Sequence, residues 1–327
     1  LPFLQQAKPT TIFVDELSSY QLEELQQSPH IAVLLNIFQE HLDYHGDFEG
    51  YVQAKQNITR YQSEHDYLVY NAVFSIPRRM AAETKAKQLP FSLEGPLSPG
   101  CFVSGSRIVY ASKAGENEEV MGTDEVPLLG RFNLHNVLAA VAVGKLLGVE
   151  TEKVALAVRS FKPLEHRLEL VGTYRGITFY NASIATVPEA TIEHLNALGQ
   201  DVQTILLGGY DRHLDFSRLA HRLLDSQVET LILFPTTGRR IWEAILAQRT
   251  ATSHLRQCFF VQGMEEAVEL AYRYTESGKI CLHSPASPSF GLFKNYEERG
   301  RLFKHYVKKM GQSWNNDPPI GSSSWQP

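Results

Sequence analysis

The chain has 327 residues, roughly two domains' worth, because single hydrophobic cores stop growing at about 250–300 residues. Hydrophobic residues make up 43% and charged ones 20%, an ordinary globular balance that excludes intrinsic disorder for most of the chain. Thirty-one Lys+Arg against thirty-six Asp+Glu leave a net charge of −5, which argues against a general nucleic-acid coat or a basic membrane binder. The three cysteines, Cys101, Cys258 and Cys281, form no C-x-x-C pair, so neither a disulfide framework nor a cysteine-rich zinc site is expected, and a reducing compartment suits them better. The longest apolar stretch, around 31–35, is far short of the ~20 residues of a spanning helix.

In chain order, TIFVDEL (11–17) predicts a short strand and SSYQLEEL a helix capped by Ser18 or Ser19. That first element comes within a few residues of Leu1, and an incomplete N-terminal region is expected. HIAVLLNI (30–37) reads as a strand buried on both faces, DFEGYVQAKQNI (47–58) as a helix starting at Asp47, and DYLVYNA (66–72) as another strand. The pattern is irregular from about 75 to 130, apart from a hairpin in CFVSGSRIVYAS. Helices follow over 133–148, closed by Gly148, and over 151–161. After FKPLEHR the pattern restarts with a hairpin, LELVGTYRGITFYN, and a helix, VPEATIEHLNAL, with Pro188 in its first turn. The strands VQTILLGG, VETLILFP, QCFFVQ and KICLHSP then alternate with the helices DFSRLAHRLL, GRRIWEAILAQR and MEEAVELAYRYT, before a last helix, NYEERGRLFKHYVKK. This alternation predicts an α/β fold of two doubly wound, mostly parallel domains, over 1–163 and 164–312, with a loose polar tail over 313–327.

Ligands of open α/β sheets bind beyond the carboxyl ends of the strands, so the polar segments there are the candidates, and a cleft between the domains is the expected site. Lys55 falls on the apolar stripe of its helix, with Phe48, Tyr51, Val52 and Ile58. It either snorkels to solvent along its stem or is held at a site, pairing with phosphate or carrying a metal-binding carbamate. Glu16, at a strand end, is a solvated or capping residue or an oxygen ligand. His41, between Glu40 and Asp43, is a surface histidine or a ligand; together with Lys55 these would suit a hydrated Mg2+. Gly208-Gly209 is a tight turn or a close approach to phosphate. Arg167, near the domain junction, forms an interdomain ion pair or grips phosphate in a bidentate fork. No G-x-x-x-x-G-K-[ST] phosphate loop occurs in the sequence.

Seven blocks carry a resemblance: ELSSYQLE, LNIFQEHLDYHGDFEGYVQAKQNI, GRFNLHNVLAAVAVGKLLGV, LEHRLELV, NASIATVPEAT, LLGGYDRHLDF and SPASPSFGLFKNYEERGRLF. In order and spacing they resemble the Mur ligases, over about 11–309, and within that family the members that add D-glutamate to UDP-muramoyl-alanine. The resemblance implies a partial P-loop-type central domain and a Rossmann-like C-terminal domain. It also implies a cytoplasmic, monomeric, ATP- and Mg2+-dependent ligase of peptidoglycan precursor synthesis that works through an acyl phosphate, with no nucleic-acid partner and no membrane insertion. Lacking the N-terminal domain and the Walker loop, the chain alone is expected not to turn over ATP.

Carried over by motif, Glu16 and His41 would be Mg2+ ligands and Lys55 the carbamylated lysine of the family, with Lys55 and His41 serving catalysis. Ser18 and Gln21 would line the muramoyl-nucleotide region. Asn133, Asn136 and Arg167 would lie on the ATP side. Thr186, Arg212, Ser289, Phe290 and Tyr296 fall where these enzymes hold D-glutamate. The departures are Ala182 and Ile184 in place of an acidic residue and a lysine, Arg212 for a lysine, Phe132 for a histidine, and Ser287 and Gly291 for a cysteine and an aspartate. They leave two other readings open: a related ligase with another acceptor amino acid, and a degenerate paralogue that binds without turnover.

Overall fold

The computed structural model describes residues 5–40, 42–249 and 254–313; the expected tail lies outside them from 314 onward. The chain divides into two compact units, Leu1–Val126 with Leu134–Ser160, and Pro127–Asn133 with Phe161–Pro327.

The first unit runs α1 (Ser19–Glu23), β1 (Ile31–Leu34), α2 (Leu42–His45), α3 (Phe48–Arg60), β2 (Tyr67–Asn71), α4 (Ser75–Glu83), β3 (Lys87–Ser92), β4 (Gly100–Ser104), β5 (Arg107–Ala111) and β6 (Asn117–Gly122). Then come α5 (Arg131–Leu146), whose first residues cluster with the second unit, and α6 (Thr151–Ser160). The strands lie side by side in sequence order, β1 to β4 parallel and β4, β5 and β6 an antiparallel meander. Alternate residues face opposite sides of the sheet, as the pleat requires. Leu68 joins Leu34, Tyr51, Val52 and Met80 on one face, while Val69 and Phe91 join Leu138, Val141 and Val154 on the other. Asp47 starts α3 by accepting a hydrogen bond from the Gly50 amide at 2.8 Å.

Three expectations need correction. Residues 11–17 form no strand: Ile12, Phe13 and Val14 are exposed and join no ladder, because β-propensity is expressed only against a partner strand. The strand at 30–37 shortens to β1, which buries alternate residues because it lies at the edge of its sheet. The irregular region contains α4, β3 and β6. Polar β6 escapes a periodicity reading because its exposed Glu118 and Glu119 pair with Lys145 and Arg107, at 2.7 and 3.0 Å.

The second unit runs β7 (Glu169–Tyr174), β8 (Ile177–Asn181), α7 (Pro188–Leu198), β9 (Val202–Gly208), α8 (Ser217–Leu224), β10 (Thr230–Phe234), α9 (Thr237–Leu246), β11 (Gln257–Phe260), α10 (Met264–Tyr274), β12 (Ile280–His283) and α11 (Tyr296–Ser313). The sheet order is β11-β10-β9-β12-β8-β7, with only β7 antiparallel. β9 and β10 are buried throughout, as continuous apolar runs in a parallel sheet should be. Leu195, Leu219 and Ile241 cover one face, and Val268, Ala271, Phe303 and Val307 the other. β12, last in sequence, inserts between β8 and β9, so the segments leaving these three strands emerge side by side at their carboxyl ends.

Phe303 is fully buried against Phe179 and His283. Phe303→Ala should destabilise the second unit by about 3–5 kcal/mol in urea unfolding, through lost burial and the cavity left behind.

Candidate functional site

In the first unit, Ser18 and Gln21 are spent on each other. The Gln21 amide donates to Ser18 Oγ at 3.3 Å, and the Ser18 amide donates to Gln21 Oε1 at 2.9 Å, a reciprocal cap on α1. Glu16 is exposed just ahead of this cap. Lys55 is half-buried, with Nζ 5.3 Å from the centre of the Tyr51 ring. Burial pushes its pKa down, and the carboxylates of Glu40 and Glu16 oppose that shift. Tyr51 is pushed up to about 12, mainly by burial and also by Glu40.

The buried His45 ring supports this corner: Nε2 lies 3.0 Å from Ser19 Oγ, and the ring packs edge-on against Tyr44 and Tyr51. His41 lies outside the described residues. Among the described residues no group of three or more His, Cys, Asp or Glu is placed to hold a metal ion. Glu16 and Glu40 offer the carboxylate oxygens that a divalent cation takes, and the charge of both acts on the Lys55 amine. Sequence reasoning named Glu40 only as a neighbour of His41. Asn133 turns its side-chain amide to the Leu129 carbonyl at 2.7 Å, and Asn136 is exposed on α5.

In the second unit, Arg167 is exposed between two buried residues with left-handed backbone, His166 at φ 65° and Leu168 at φ 48°. The His166 amide donates to Glu169 Oε2 at 3.0 Å, and its ring nitrogen Nδ1 lies 2.9 Å from Asn181 Nδ2. Lys304 closes the cluster by donating to Glu169 at 2.8 Å. Gly300 packs against this ring, where a Cβ would sit 2.2 Å from His166 Nδ1.

Ala182 is fully buried, and Ile184 and Thr186 are half-buried. Gly208 takes φ +105°, and a side chain there would meet the Phe234 carbonyl at 2.3 Å. Arg240 pairs with Asp211 at 2.5 Å and leaves Arg212 exposed. Ser289 is buried, while Phe290 is half-exposed and edge-on to Tyr210, with ring centres 6.1 Å apart. Tyr296 begins α11 and meets the His166 ring edge-on at 6.1 Å.

Beneath these loops lies a group that sequence reasoning missed. Arg299 is 0% exposed, and no acidic side chain pairs with it among the described residues. Nε donates to Ser183 Oγ at 3.0 Å, and the two terminal nitrogens donate to the Ser183 carbonyl at 2.7 Å and the Ser287 carbonyl at 3.0 Å. Burial pushes its pKa down to about 9, which leaves it charged at neutral pH. The available signal was a cation one helical turn before Phe303 and two before Val307, on the apolar stripe of α11.

His194, on α7, is held neutral. Its Nδ1 lies 2.9 Å from Ser284 Oγ, and burial, with the Arg167 charge nearby, lowers its pKa to about 4. Unfolded, it takes a proton near 6.5, so between these values the unfolded chain binds more protons and stability drops as the pH falls. Acid titration of unfolding from pH 7 to 4 should therefore cost on the order of 3 kcal/mol through this group. His194→Gln should remove that part of the drop.

Two family models match: the Mur ligase middle domain over residues 2–144, and the Mur ligase glutamate ligase domain over residues 166–287. A protein of Acetivibrio thermocellus named UDP-N-acetylmuramoylalanine--D-glutamate ligase is 36% identical over 314 residues, covering 94% of this chain and 66% of its own length. One of the same name from Koribacter versatilis is 36% identical, with 95% of this chain and 67% of its own length covered. The chain thus spans about two thirds of the length of these relatives. Among solved structures, MurF of Acinetobacter baumannii superposes with a TM-score of 0.66 at 16% identity, covering 89% of this chain and 62% of that one. MurF ligase of Thermotoga maritima in complex with ADP superposes with a TM-score of 0.60 at 17% identity, covering 86% and 63%. At these identities the structures share the fold.

Proposed function

Because the chain belongs to the Mur ligase family, we propose that the polypeptide carrying it is a cytoplasmic ATP-dependent ligase of peptidoglycan precursor synthesis that joins D-glutamate to UDP-N-acetylmuramoyl-L-alanine. The observation that carries a catalytic reading is the half-buried Lys55 amine over the Tyr51 ring, within the field of the Glu16 and Glu40 carboxylates. Desolvation enlarges the neutral fraction of this amine, the form whose nitrogen adds to carbon dioxide and releases a proton, giving a carbamate. That carbamate, Glu16 and His41 would hold Mg2+, which when bound supplies neutralisation of the phosphoryl charge.

In the reaction, an oxygen of the alanyl carboxylate attacks the γ-phosphorus of ATP and ADP leaves, producing an acyl phosphate. The D-glutamate amine then adds to the acyl carbon, and inorganic phosphate departs from the tetrahedral intermediate. Arg167, exposed on its left-handed turn, would contact the ATP phosphates as a planar donor fork, with Asn133 and Asn136 on the nucleotide side. Ser18 and Gln21 would line the muramoyl-nucleotide region. Thr186, Arg212, Ser289, Phe290 and Tyr296 would hold D-glutamate, Arg212 gripping a carboxylate.

A second reading, a paralogue that binds without turnover, is favoured by Ala182 and Ile184: one is fully buried, and neither carries the charge that the resemblance implies there. ADP release by the product of the complete coding sequence separates the two. We expect release only when ATP, the muramoyl-alanine nucleotide and D-glutamate are all present; no release with any acceptor, despite nucleotide binding, leaves the second reading. Lys55→Ala should lower the rate by about 10²–10³-fold, the scale of losing one main electrostatic group, and bicarbonate or short carboxylic acids should restore part of it. Wild-type turnover in that variant excludes the carbamate.

A further inference from the structure

We propose that Arg299 is a positioning residue whose buried guanidinium sets the spacing of the loops leaving β8, β9 and β12, and through them the geometry of the acceptor amino-acid pocket. The pocket's occupant rests on the D-glutamate reading above; the clamp itself rests on geometry alone.

All three of its acceptors belong to loops at the carboxyl edge of the sheet, two on Ser183 after β8 and one on Ser287 after β12. Ser183 Oγ, accepting from Arg299, donates onward to the Tyr296 carbonyl at 2.8 Å, which ties in the start of α11. The β9 loop is bound to the same centre. The Tyr210 amide donates to the Pro288 carbonyl at 2.8 Å. A Cβ on Gly209 would lie 2.1 Å from that carbonyl and 3.1 Å from an Arg299 terminal nitrogen. Ser287 Oγ and Thr237 Oγ1 are 2.7 Å apart, and the Gly209 carbonyl accepts from the Thr236 and Thr237 amides at 2.7 and 3.0 Å.

Each acceptor-side candidate stands within three residues of a clamp point: Thr186 after Ser183, Arg212 after Gly209, Ser289 and Phe290 after Ser287, and Tyr296 at one itself. If Arg299 served only to fill volume, an apolar side chain would do so without the cost of desolvating a cation. The fork instead fixes direction as well as distance, and its removal would orphan two buried carbonyls. A lysine at this position offers one nitrogen in place of three and cannot reach both loops with the same geometry.

The test uses the product of the complete coding sequence, with Arg299→Lys and Ser183→Ala. Steady-state kinetics are read beside amide hydrogen exchange of the second unit. We expect each variant to raise the KM for D-glutamate at least tenfold, with kcat and the KM for ATP within threefold. Exchange should accelerate over 182–186 and 284–289, while amides of β9 and β10 keep their protection. Native KM and native loop protection in a folded variant overturn the clamp. So does equal loosening of all second-unit amides, the signature of general destabilisation. If Arg299→Lys does not fold, Ser183→Ala decides by the same two readouts. If the unsubstituted protein takes no D-glutamate, the substrate reading fails, and exchange still decides the clamp: selective loosening of the two loops supports it, and native protection overturns it.

Discussion

A single buried cation organises the carboxyl edge of the second unit. Among the described residues no carboxylate neutralises Arg299, and its charge is met by the dipoles of two loop carbonyls and one hydroxyl. Those groups hold their positions only while the guanidinium fork stays in place, and an uncompensated charge in the interior would cost several kcal/mol. The next residue, Gly300, contributes by what it lacks: without a Cβ, α11 comes close enough for the His166 ring to lie against its backbone. The same ring is bonded to Asn181, at the end of β8. Arg299 and Gly300 thus fix α11 to the loops through three hydrogen bonds and one steric contact.

The first unit also holds a cation away from water, with a different chemical consequence. Arg299 is lowered only to about 9, because the delocalised guanidinium keeps its proton even when desolvated. Lys55, half-buried over Tyr51, is an amine that burial moves toward its neutral, nucleophilic form. One cation suits permanent architecture, and the other suits chemistry at the amine itself.

Several features of the loops at the carboxyl edge of the second unit make physical sense locally. Ser287 places its hydroxyl 2.7 Å from Thr237 Oγ1, which gives the loop a hydrogen bond in the interior. Tyr210 and Phe290 form an edge-to-face pair at the outer end of the β9 and β12 loops, which covers apolar surface there. Ala182 packs in the core with Leu168, Leu195 and Leu282, an environment that would penalise a charged side chain.

The sequence by itself determined the alternation of elements. Nearly every strand and helix of the second unit, the Asp47 cap and Lys55 on its apolar stripe followed from periodicity and capping chemistry, because these are local properties of consecutive residues. Tertiary structure alone decided whether an extended run finds a partner, so 11–17 stayed unpaired while polar 117–122 became β6. It also decided which distant side chains meet. Glu40 acts on Lys55 across a gap of fifteen residues, and Arg299 reaches Ser183 across 116. A sequence shows that a cation lies on an apolar stripe; only the packing of the other elements onto that stripe shows whether it meets solvent, a carboxylate or a carbonyl.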